Sequence, residues 1–392
     1  MVCAALVLAA SACSKSTTSG TASPGASGSS SPQGLAISVD NRNPAANEAF
    51  LSYFPATATV RPGATLTFNL VDSGEPHTVT FGTLADAAVN AYNQNQNSAT
   101  SMATDAALPQ LLPQGPGDAI PSAGLPCAIT TGSVPTATAC TAAQQTLSPF
   151  AGTEAYYNSG WLAAGKPFTL TLSSSIKPGS YHYLCLLHRE SMQGTIIVAG
   201  PSDTVPPAAT QEAAGQSQLQ QEIAALAPAE TGLAKGSIAP FVPTGPDKVV
   251  AGGGTQASND LITEFGPKTV TTTVGGSITW YIFGPHTVSF AAPPSAYGIR
   301  VGDTQHINPQ AALPQGGPGQ TGPPGGPDPN AAPGIGEMIN GGTFDGSTFK
   351  SSGSIISFPP KLTAYTLKFS KAGTYPYACL IHPGMAGTVV VQ

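Results

Sequence analysis

Apolar and polar residues alternate in short runs along most of the chain, and glycine or proline separates many of the runs. The early runs are Ala36–Val39, Thr57–Val60, Thr65–Leu70 and His77–Phe81, and the later ones before residue 200 are Phe168–Leu172, Gly179–Cys185 and Gly194–Val198. Alternation over four to eight residues is typical of strands with one buried face. The pattern therefore predicts many short β-strands joined by turns.

One segment has the periodicity of a helix instead. Residues 210–226 are rich in helix formers, and Leu219, Ile223 and Leu226 follow one another at spacings of four and three. We expect a helix of about residues 210–226 that Pro228 ends. It lies in a linker, residues 201–247, and its narrow apolar stripe indicates packing against a β-sandwich.

Three groups of segments occur twice in the same order. The matching pairs are Phe54–Phe68 with Phe265–Trp280, Pro76–Phe81 with Pro285–Phe290, and Gly179–His188 with Gly373–His382. A tandem duplication explains the matches, with one domain over residues 35–200 and a second over residues 248–392. Both domains carry long insertions, the first between His77 and Cys185 and the second between His286 and Cys379.

Composition narrows the class of protein. Only 9% of the 392 residues are charged, whereas Gly and Pro number 45 and 38, which favours turns and short strands over helices. The formal net charge is -6, and no basic run occurs, so we expect neither nucleic acid nor an anionic membrane surface as partner. There is also no apolar run of about 18 residues that would predict a membrane-spanning helix.

The second copies of two of these groups, together with the loop that follows the last one, carry the residues of a soft-metal site. Cys379, His382 and Met385 are spaced n, n+3 and n+6, and His286 lies on an upstream run. The matching residues of the first domain are His77, Cys185, His188 and Met192. Thiolate and thioether ligands favour Cu(I), and imidazole suits both oxidation states of copper. Singly, such residues are most often core or surface residues, but the repeated set indicates two copper sites.

These residues resemble those of the cupredoxins of the plastocyanin and amicyanin type. The Cys-x2-His-x2-Met spacing at Cys379 is similar to that of amicyanin, and the loop at Cys185 is one residue longer. The resemblance implies two tandem Greek-key β-sandwich domains, each with one type 1 copper. It also implies that His188 and His382 lie nearest the surface as electron ports. The sequence differences between the two loops suggest that the two sites differ in potential.

The enzymatic relatives of that family fit the sequence less well. A trinuclear copper cluster uses about eight histidines in His-x-His pairs, whereas this chain has six histidines and no such pair. Copper nitrite reductases place a histidine directly before the copper cysteine, where this chain has Leu184 and Ala378. We therefore do not expect an enzyme, although a copper oxidoreductase with an interdomain site remains an alternative.

The N-terminal residues resemble a bacterial lipoprotein signal. Residues 1–12 would be the signal peptide, Cys13 the lipidated residue, and residues 13–34 a Ser/Gly/Pro-rich tether. No Lys or Arg precedes the apolar part, which a translation start assigned too far downstream would explain. An ordinary cleaved signal is the alternative. Either way, we expect the protein outside the cytoplasm, lipid-anchored on the outer face of the bacterial cell membrane or periplasmic.

The remaining cysteines agree with export. Cys127 and Cys140 are left once the signal and the copper motifs are assigned, and they suit a disulfide in an oxidising compartment. The alternative is a pair of free thiols, which is unusual outside the cytoplasm.

The sequence as a whole predicts an exported electron-transfer protein with two coppers per chain. Its partners would be a redox protein donor and acceptor, with contact to the membrane only through the lipid anchor. A copper-binding or copper-handling protein without an electron-transfer role is the main alternative.

Overall fold

A computed structural model gives the fold of the chain. It describes residues 34–43, 46–71, 76–94, 108–109, 121–135, 138–237, 245–255, 260–298, 308–316 and 335–392. The predicted signal peptide, Cys13 and nearly all of the tether lie outside the described residues.

The first β unit contains the elements up to Val198. Its strands are Gly34–Asn43 (β1), Glu48–Phe54 (β2), Thr57–Val60 (β3), Thr65–Leu70 (β4), Thr80–Phe81 (β5), Pro126–Ile129 (β6), Tyr156–Ser159 (β7), Phe168–Thr171 (β8), Gly179–Cys185 (β9) and Arg189–Val198 (β10). Its helices are Thr83–Gln94 (α1), Pro121–Gly124 (α2) and Ala142–Gln145 (α3). The helix Ala208–Ala234 (α4) follows it.

The second β unit contains the elements from Lys248 onward. Its strands are Lys248–Gly254 (β11), Leu261–Gly266 (β12), Thr269–Thr272 (β13), Ser277–Ile282 (β14), Gly284–His286 (β15), Ser289–Phe290 (β16), Ile335–Phe344 (β17), Lys350–Ser351 (β18), Ile355–Ser357 (β19), Leu362–Phe369 (β20), Gly373–Ala378 (β21) and Ala386–Val391 (β22). A 3₁₀ turn covers Pro294–Ala296, and a short helix covers Pro309–Ala312 (α5). The all-β fold predicted from the sequence is confirmed.

Each unit is a sandwich of two sheets, and one sheet is continuous through both units. Its strand order is β17-β20-β14-β11-β12-β2-β1-β4-β8. The opposite sheet of the first unit has the order β3-β10-β9-β5-β7-β6, and that of the second has the order β13-β22-β21-β16-β18. The two units meet where β12 pairs antiparallel with β2, with Leu261 opposite Ala49 and Ile262 opposite Glu48.

The two cores are built around corresponding aromatic rings. In the first unit the ring of Tyr183 lies 4.7 Å from that of Tyr53 and 4.7 Å from that of Phe81. In the second unit Tyr377 lies 4.7 Å from Phe265 and 5.2 Å from Phe290. Each such pair contributes about 0.5–1.5 kcal/mol beyond the burial of its area. Tyr183 stands on β9, which ends at Cys185, and Tyr377 stands on β21, which ends one residue before Cys379, so core packing positions the candidate site.

A glycine on the neighbouring strand makes room for each of these tyrosines. A Cβ on Gly194 would lie 2.3 Å from the ring of Tyr183, and a Cβ on Gly387 would lie 2.5 Å from the ring of Tyr377. Real Cβ atoms do not approach so closely, because the interior is already close-packed. These positions therefore require glycine for packing.

The linker helix extends past its expected end. It continues through Pro228 to Ala234, although a proline removes one helical hydrogen bond. Leu226 and Leu233 are buried, and the carbonyl oxygen of Leu233 lies where a Cβ on Gly266 would stand. Docking of the last turn on the second unit thus offsets the cost of the proline. The helix contacts β1 and β2 of the first unit and β11 and β12 of the second, so it packs against both units.

Among the described residues, no helix combines the length and the apolar character that crossing a membrane requires.

Candidate metal centres

The first candidate centre lies where β9 ends beside the segment before β5. His77, Cys185 and His188 each offer one ligand atom, and these atoms all lie within 4.8 Å of one another. The Nδ1 atom of His77 is 3.7 Å from the Sγ atom of Cys185, and the two imidazole rings are 4.8 Å apart. Cys185 and His77 are buried, whereas His188 is half-buried. The structure brings together three of the four predicted ligands through contacts between these atoms.

The second candidate centre has the same arrangement in the second unit. The Sγ atom of Cys379 lies 4.0 Å from Nδ1 of His286 and 3.6 Å from Nδ1 of His382. The two Nδ1 atoms are 2.9 Å apart. All three side chains are buried.

The predicted methionines lie in the cores that hold the cysteines. Met192 is buried in the same apolar cluster as Cys185, and Met385 is buried in the same cluster as Cys379. In the second unit the turn is closed by a hydrogen bond from the N–H of Cys379 to the carbonyl of Met385, at 3.0 Å. The N–H of Met385 in turn donates to the carbonyl of His382, at 3.3 Å. The loop therefore holds cysteine, histidine and methionine as one compact unit.

A threonine next to the upstream histidine fixes each cysteine. The backbone N–H of Thr78 lies 3.5 Å from Sγ of Cys185, and that of Thr287 lies 3.4 Å from Sγ of Cys379. The hydroxyl of Thr78 also accepts a hydrogen bond from the N–H of Leu186, at 2.9 Å. The corresponding bond from the N–H of Leu380 to Thr287 measures 2.7 Å. N–H donors toward sulfur favour its anionic form.

The imidazoles favour that form as well. Burial alone raises the pKa of the Cys185 thiol, but hydrogen bonds and charge from His188 and His77 lower it well below its ordinary value. Burial opposes ionisation of Cys379 in the same way, and His382 and His286 lower its pKa well below the ordinary value. The thiolate is the metal-binding form of cysteine. Both sites therefore favour the form of cysteine that binds a metal.

A carboxylate contacts His77 of the first centre on the side of its ring away from Cys185. The Oδ2 atom of Asp40 lies 2.7 Å from Nε2 of His77, and both side chains are buried. Burial lowers the pKa of His77, but the charge and hydrogen bond of Asp40, together with Cys185, raise it to about 10. With Nε2 bonded to the carboxylate, Nδ1 is the nitrogen that faces the sulfur. Such carboxylate–histidine pairs orient metal-binding imidazoles.

The described parts of the insertions cover residues of both candidate centres. Leu186 belongs to an apolar cluster with the disulfide-bearing insertion, and the guanidinium of Arg189 donates to the carbonyl of Pro109 at 3.1 Å. Leu380 packs with Ala296 and Ala311 of the other insertion. The insertions thus shield the residues that directly follow each cysteine.

The two later histidines differ in exposure. His188 is half-buried, whereas His77 and Cys185 of the same centre are buried. His382 is only 3% exposed. Its neighbour Pro383 accepts a hydrogen bond from the guanidinium of Arg42, at 2.6 Å, so a strand of the first unit covers this loop.

The donor sets fit a type 1 copper. Metal–nitrogen bonds of about 2.0–2.1 Å and metal–sulfur bonds of about 2.3 Å place such ligand atoms roughly 3–4 Å apart around one ion. The distances of 3.7 Å from Cys185 to His77, 4.0 Å from Cys379 to His286 and 3.6 Å from Cys379 to His382 fall in this range. Each centre offers two imidazoles, one thiolate and a buried thioether. This set is typical of blue-copper sites, whereas structural zinc sites use four strong donors.

The other two predicted cysteines form a disulfide. Cys127 and Cys140 are bonded across a sequence separation of 13 and lie in the first insertion. Cys13, the predicted lipidation residue, lies outside the described residues.

Four residues that contact the centres were not predicted from the sequence, namely Asp40, Arg42, Thr78 and Thr287. Asp40 reaches His77 from a strand 37 positions upstream, and Arg42 reaches Pro383 across 341 positions. Nothing local in the sequence signals either contact. The threonines, by contrast, could have been found, since Pro-His-Thr-Val occurs in both domains.

No family model matches the chain, and no curated protein matches its sequence. Several solved structures are similar to part of this chain. One is the dithionite-reduced auracyanin of the photosynthetic bacterium Roseiflexus castenholzii, with 19% identity and a TM-score of 0.22, over 43% of this chain and 98% of that one. Another is a Cu(I) amicyanin variant, with 20% identity and a TM-score of 0.20, over 38% of this chain and 86% of that one. An oxidised amicyanin variant shows 13% identity and a TM-score of 0.20, over 42% and 82% of the two chains.

Proposed function

We propose that the protein is an exported electron carrier with two type 1 copper sites per chain. His77, Cys185, His188 and Met192 would hold the first copper, and His286, Cys379, His382 and Met385 the second. The observation that carries the proposal is the convergence of one thiolate-prone cysteine and two imidazoles at each of two buried places. Copper bound there supplies a one-electron couple between Cu(I) and Cu(II).

The protein residues favour electron exchange over bond-making chemistry. Met192 and Met385 would each add a thioether to a bound copper, which would leave less room for a substrate or water. The Thr78 and Thr287 hydrogen bonds, together with the packed tyrosines, hold the ligands in a fixed geometry. A fixed geometry limits the rearrangement that accompanies an electron transfer.

The half-buried His188 is the position we propose for contact with an external redox protein. The donor and the acceptor are proteins of the same oxidising compartment, which the disulfide between Cys127 and Cys140 suits. Lipidation of Cys13 would keep the carrier at the outer face of the cell membrane.

A copper count together with a redox titration tests the proposal. We expect two coppers per chain and reversible one-electron steps that account for both. Cys185→Ser and Cys379→Ser should each lose one copper and one step, while circular dichroism checks that the sandwiches remain folded. Two tightly bound coppers with no reversible couple would contradict the carrier and favour a copper-handling protein. Turnover of nitrite or a phenol would favour an oxidoreductase instead.

A further inference from the structure

Asp40 and Gly252 occupy the same place in the two units. Strand β1 runs parallel to β4, with Val39 opposite Leu70, and its register with β2 shifts between Val39 and Asn41. Strand β11 runs parallel to β14, with Ala251 opposite Ile282, and its register with β12 shifts between Ala251 and Gly253. Both residues at the shift have positive φ, 58° at Asp40 and 83° at Gly252. They are counterparts in matching bulges.

The two bulges meet the copper histidines differently. The carboxylate of Asp40 lies 2.7 Å from Nε2 of His77. A Cβ on Gly252 would lie 2.1 Å from Nε2 of His286, so no side chain has room there. The bulge of the first unit therefore places a carboxylate beside its histidine, and the matching bulge of the second unit cannot.

A buried carboxylate at this place affects the stability of the two copper oxidation states. A carboxylate that accepts the Nε2–H proton makes the imidazole a stronger donor. Its negative charge, little screened in the interior, also favours the more positive ion. Both effects stabilise Cu(II) relative to Cu(I), which lowers the reduction potential of the first centre.

The same strand reaches the second centre two residues later. Arg42 donates to the carbonyl of Pro383, which directly follows His382. The junction around this contact is hydrogen-bonded on both sides: the N–H of Thr263 donates to the carbonyl of Asn47 at 2.7 Å, and the side chain of Asn47 donates to Glu264 at 2.6 Å. The end of β1 is therefore fixed against the second unit.

We propose that the Asp40–Arg42 segment is an internal electron path from the first copper to the second, and that Asp40 sets its direction. This inference rests on the proposed function. The path runs from His77 through its hydrogen bond to Asp40, along two peptide units to Arg42, and through the second hydrogen bond to Pro383 and His382. An external redox protein would reduce copper in the first centre beside His188. The electron would then pass to Cu(II) in the second centre, so that one copper would be oxidised and the other reduced, while the proton of His77 would stay on Nε2.

Asp40→Gly tests the direction of electron transfer. It gives the first unit the residue type that the second unit has at Gly252, and both positions have positive φ. In the Cys379→Ser background, which leaves only the first copper, we expect the reduction potential to rise. Asp40→Asn, which keeps the shape without the charge, should raise it less and serves if the glycine variant fails to fold. Glu212→Gln is the control, since it removes a carboxylate that contacts the same strand at the N–H of Ala36.

Arg42→Ala tests the path in the chain with both coppers. After rapid reduction of the first centre, electron transfer to the second should become several-fold slower. Arg61→Ala is the matched control, because that guanidinium also donates to a backbone carbonyl, of Asp203 at 2.6 Å, but within the first unit. Two results would overturn the inference without contradicting the proposed electron carrier. One is an unchanged reduction potential in Asp40→Gly with normal thiolate–copper absorption, and the other is an unchanged rate of electron transfer in Arg42→Ala. Absence of that absorption from the wild-type protein would instead overturn the proposed function.

Discussion

The backbone N–H of Cys379 donates to the carbonyl of Met385 at 3.0 Å, so the proposed thiolate and thioether ligands belong to one closed turn. Met385→Leu keeps the apolar volume of this buried side chain and removes its sulfur. We expect copper to remain bound, because the three strong ligands are intact. The potential of the second centre should rise, since a donor to Cu(II) is lost and the axial ligand tunes such sites.

Potentiometry of the Met385→Leu variant in the Cys185→Ser background checks this expectation. Met192→Leu in the Cys379→Ser background is the parallel test for the first centre. An unchanged potential and an unchanged spectrum would show that the methionine sulfur is not a ligand.

The hydroxyl of Thr287 should contribute to stability through the N–H of Leu380. Thr287→Val keeps the shape of the side chain and removes the acceptor of this 2.7 Å hydrogen bond, so a buried N–H is left without its partner. The unpaired N–H should lower the free energy of unfolding by about 1–3 kcal/mol. Urea unfolding of the metal-free protein measures it.

Thr287→Ser is the matched control, because it retains the hydroxyl. If both variants lose the same free energy of unfolding, the methyl group rather than the hydrogen bond is what matters. Thr78→Val and Thr78→Ser repeat the comparison at the other centre.

The fold follows from the sequence where the pattern is local. Strand Gly179–Cys185 has the bounds that the alternation predicted, and the histidine, cysteine and threonine positions repeat in both halves of the chain. Local pattern gave no signal for strand Glu48–Phe54, whose residues are almost all buried and so do not alternate. The helix Thr83–Gln94 was not predicted either.

The rest depends on contacts between distant segments. Pro228 predicted a helix end, yet the helix continues because Leu233 docks against Gly266. The burial of His382 depends on the first unit, through Arg42. No spacing within either copper motif could indicate these contacts, because they arise only when the two sandwiches share a sheet.

Stability should fall as the pH rises through the range set by Glu222. Burial and then the charge of Asp260 raise the pKa of Glu222 to about 7, against the lowering effect of its hydrogen bond from Gln218. The folded protein therefore holds a proton that the unfolded chain has released at a lower pH. Because the folded state binds more protons between the unfolded pKa and about 7, the free energy of unfolding decreases across that window.

Chemical denaturation of the metal-free protein between pH 5 and pH 7.5 checks this sign. Glu222→Gln should flatten the profile, whereas Glu212→Gln, on the same helix, should leave it as in the wild type. A profile that is equally steep in Glu222→Gln would assign the dependence to other groups.

The disulfide should stabilise the first insertion without affecting the copper ligands. Replacing both Cys127 and Cys140 with serine opens a loop with a sequence separation of 13, and the expected loss is about 3 kcal/mol. Thermal or urea unfolding measures the loss. Copper content should stay the same, because Cys185 and Cys379 are the free cysteines among the described residues. Loss of one copper in this variant would contradict the ligand assignment.

The most direct test of the two-site account is a titration of metal-free protein with Cu(II), followed by visible absorption. We expect an intense thiolate-to-copper band that grows linearly and stops at two equivalents. In Cys185→Ser and in Cys379→Ser the band should stop at one equivalent. Copper binding without this band, in a folded wild-type protein, would show that the cysteines are not ligands and would contradict the account.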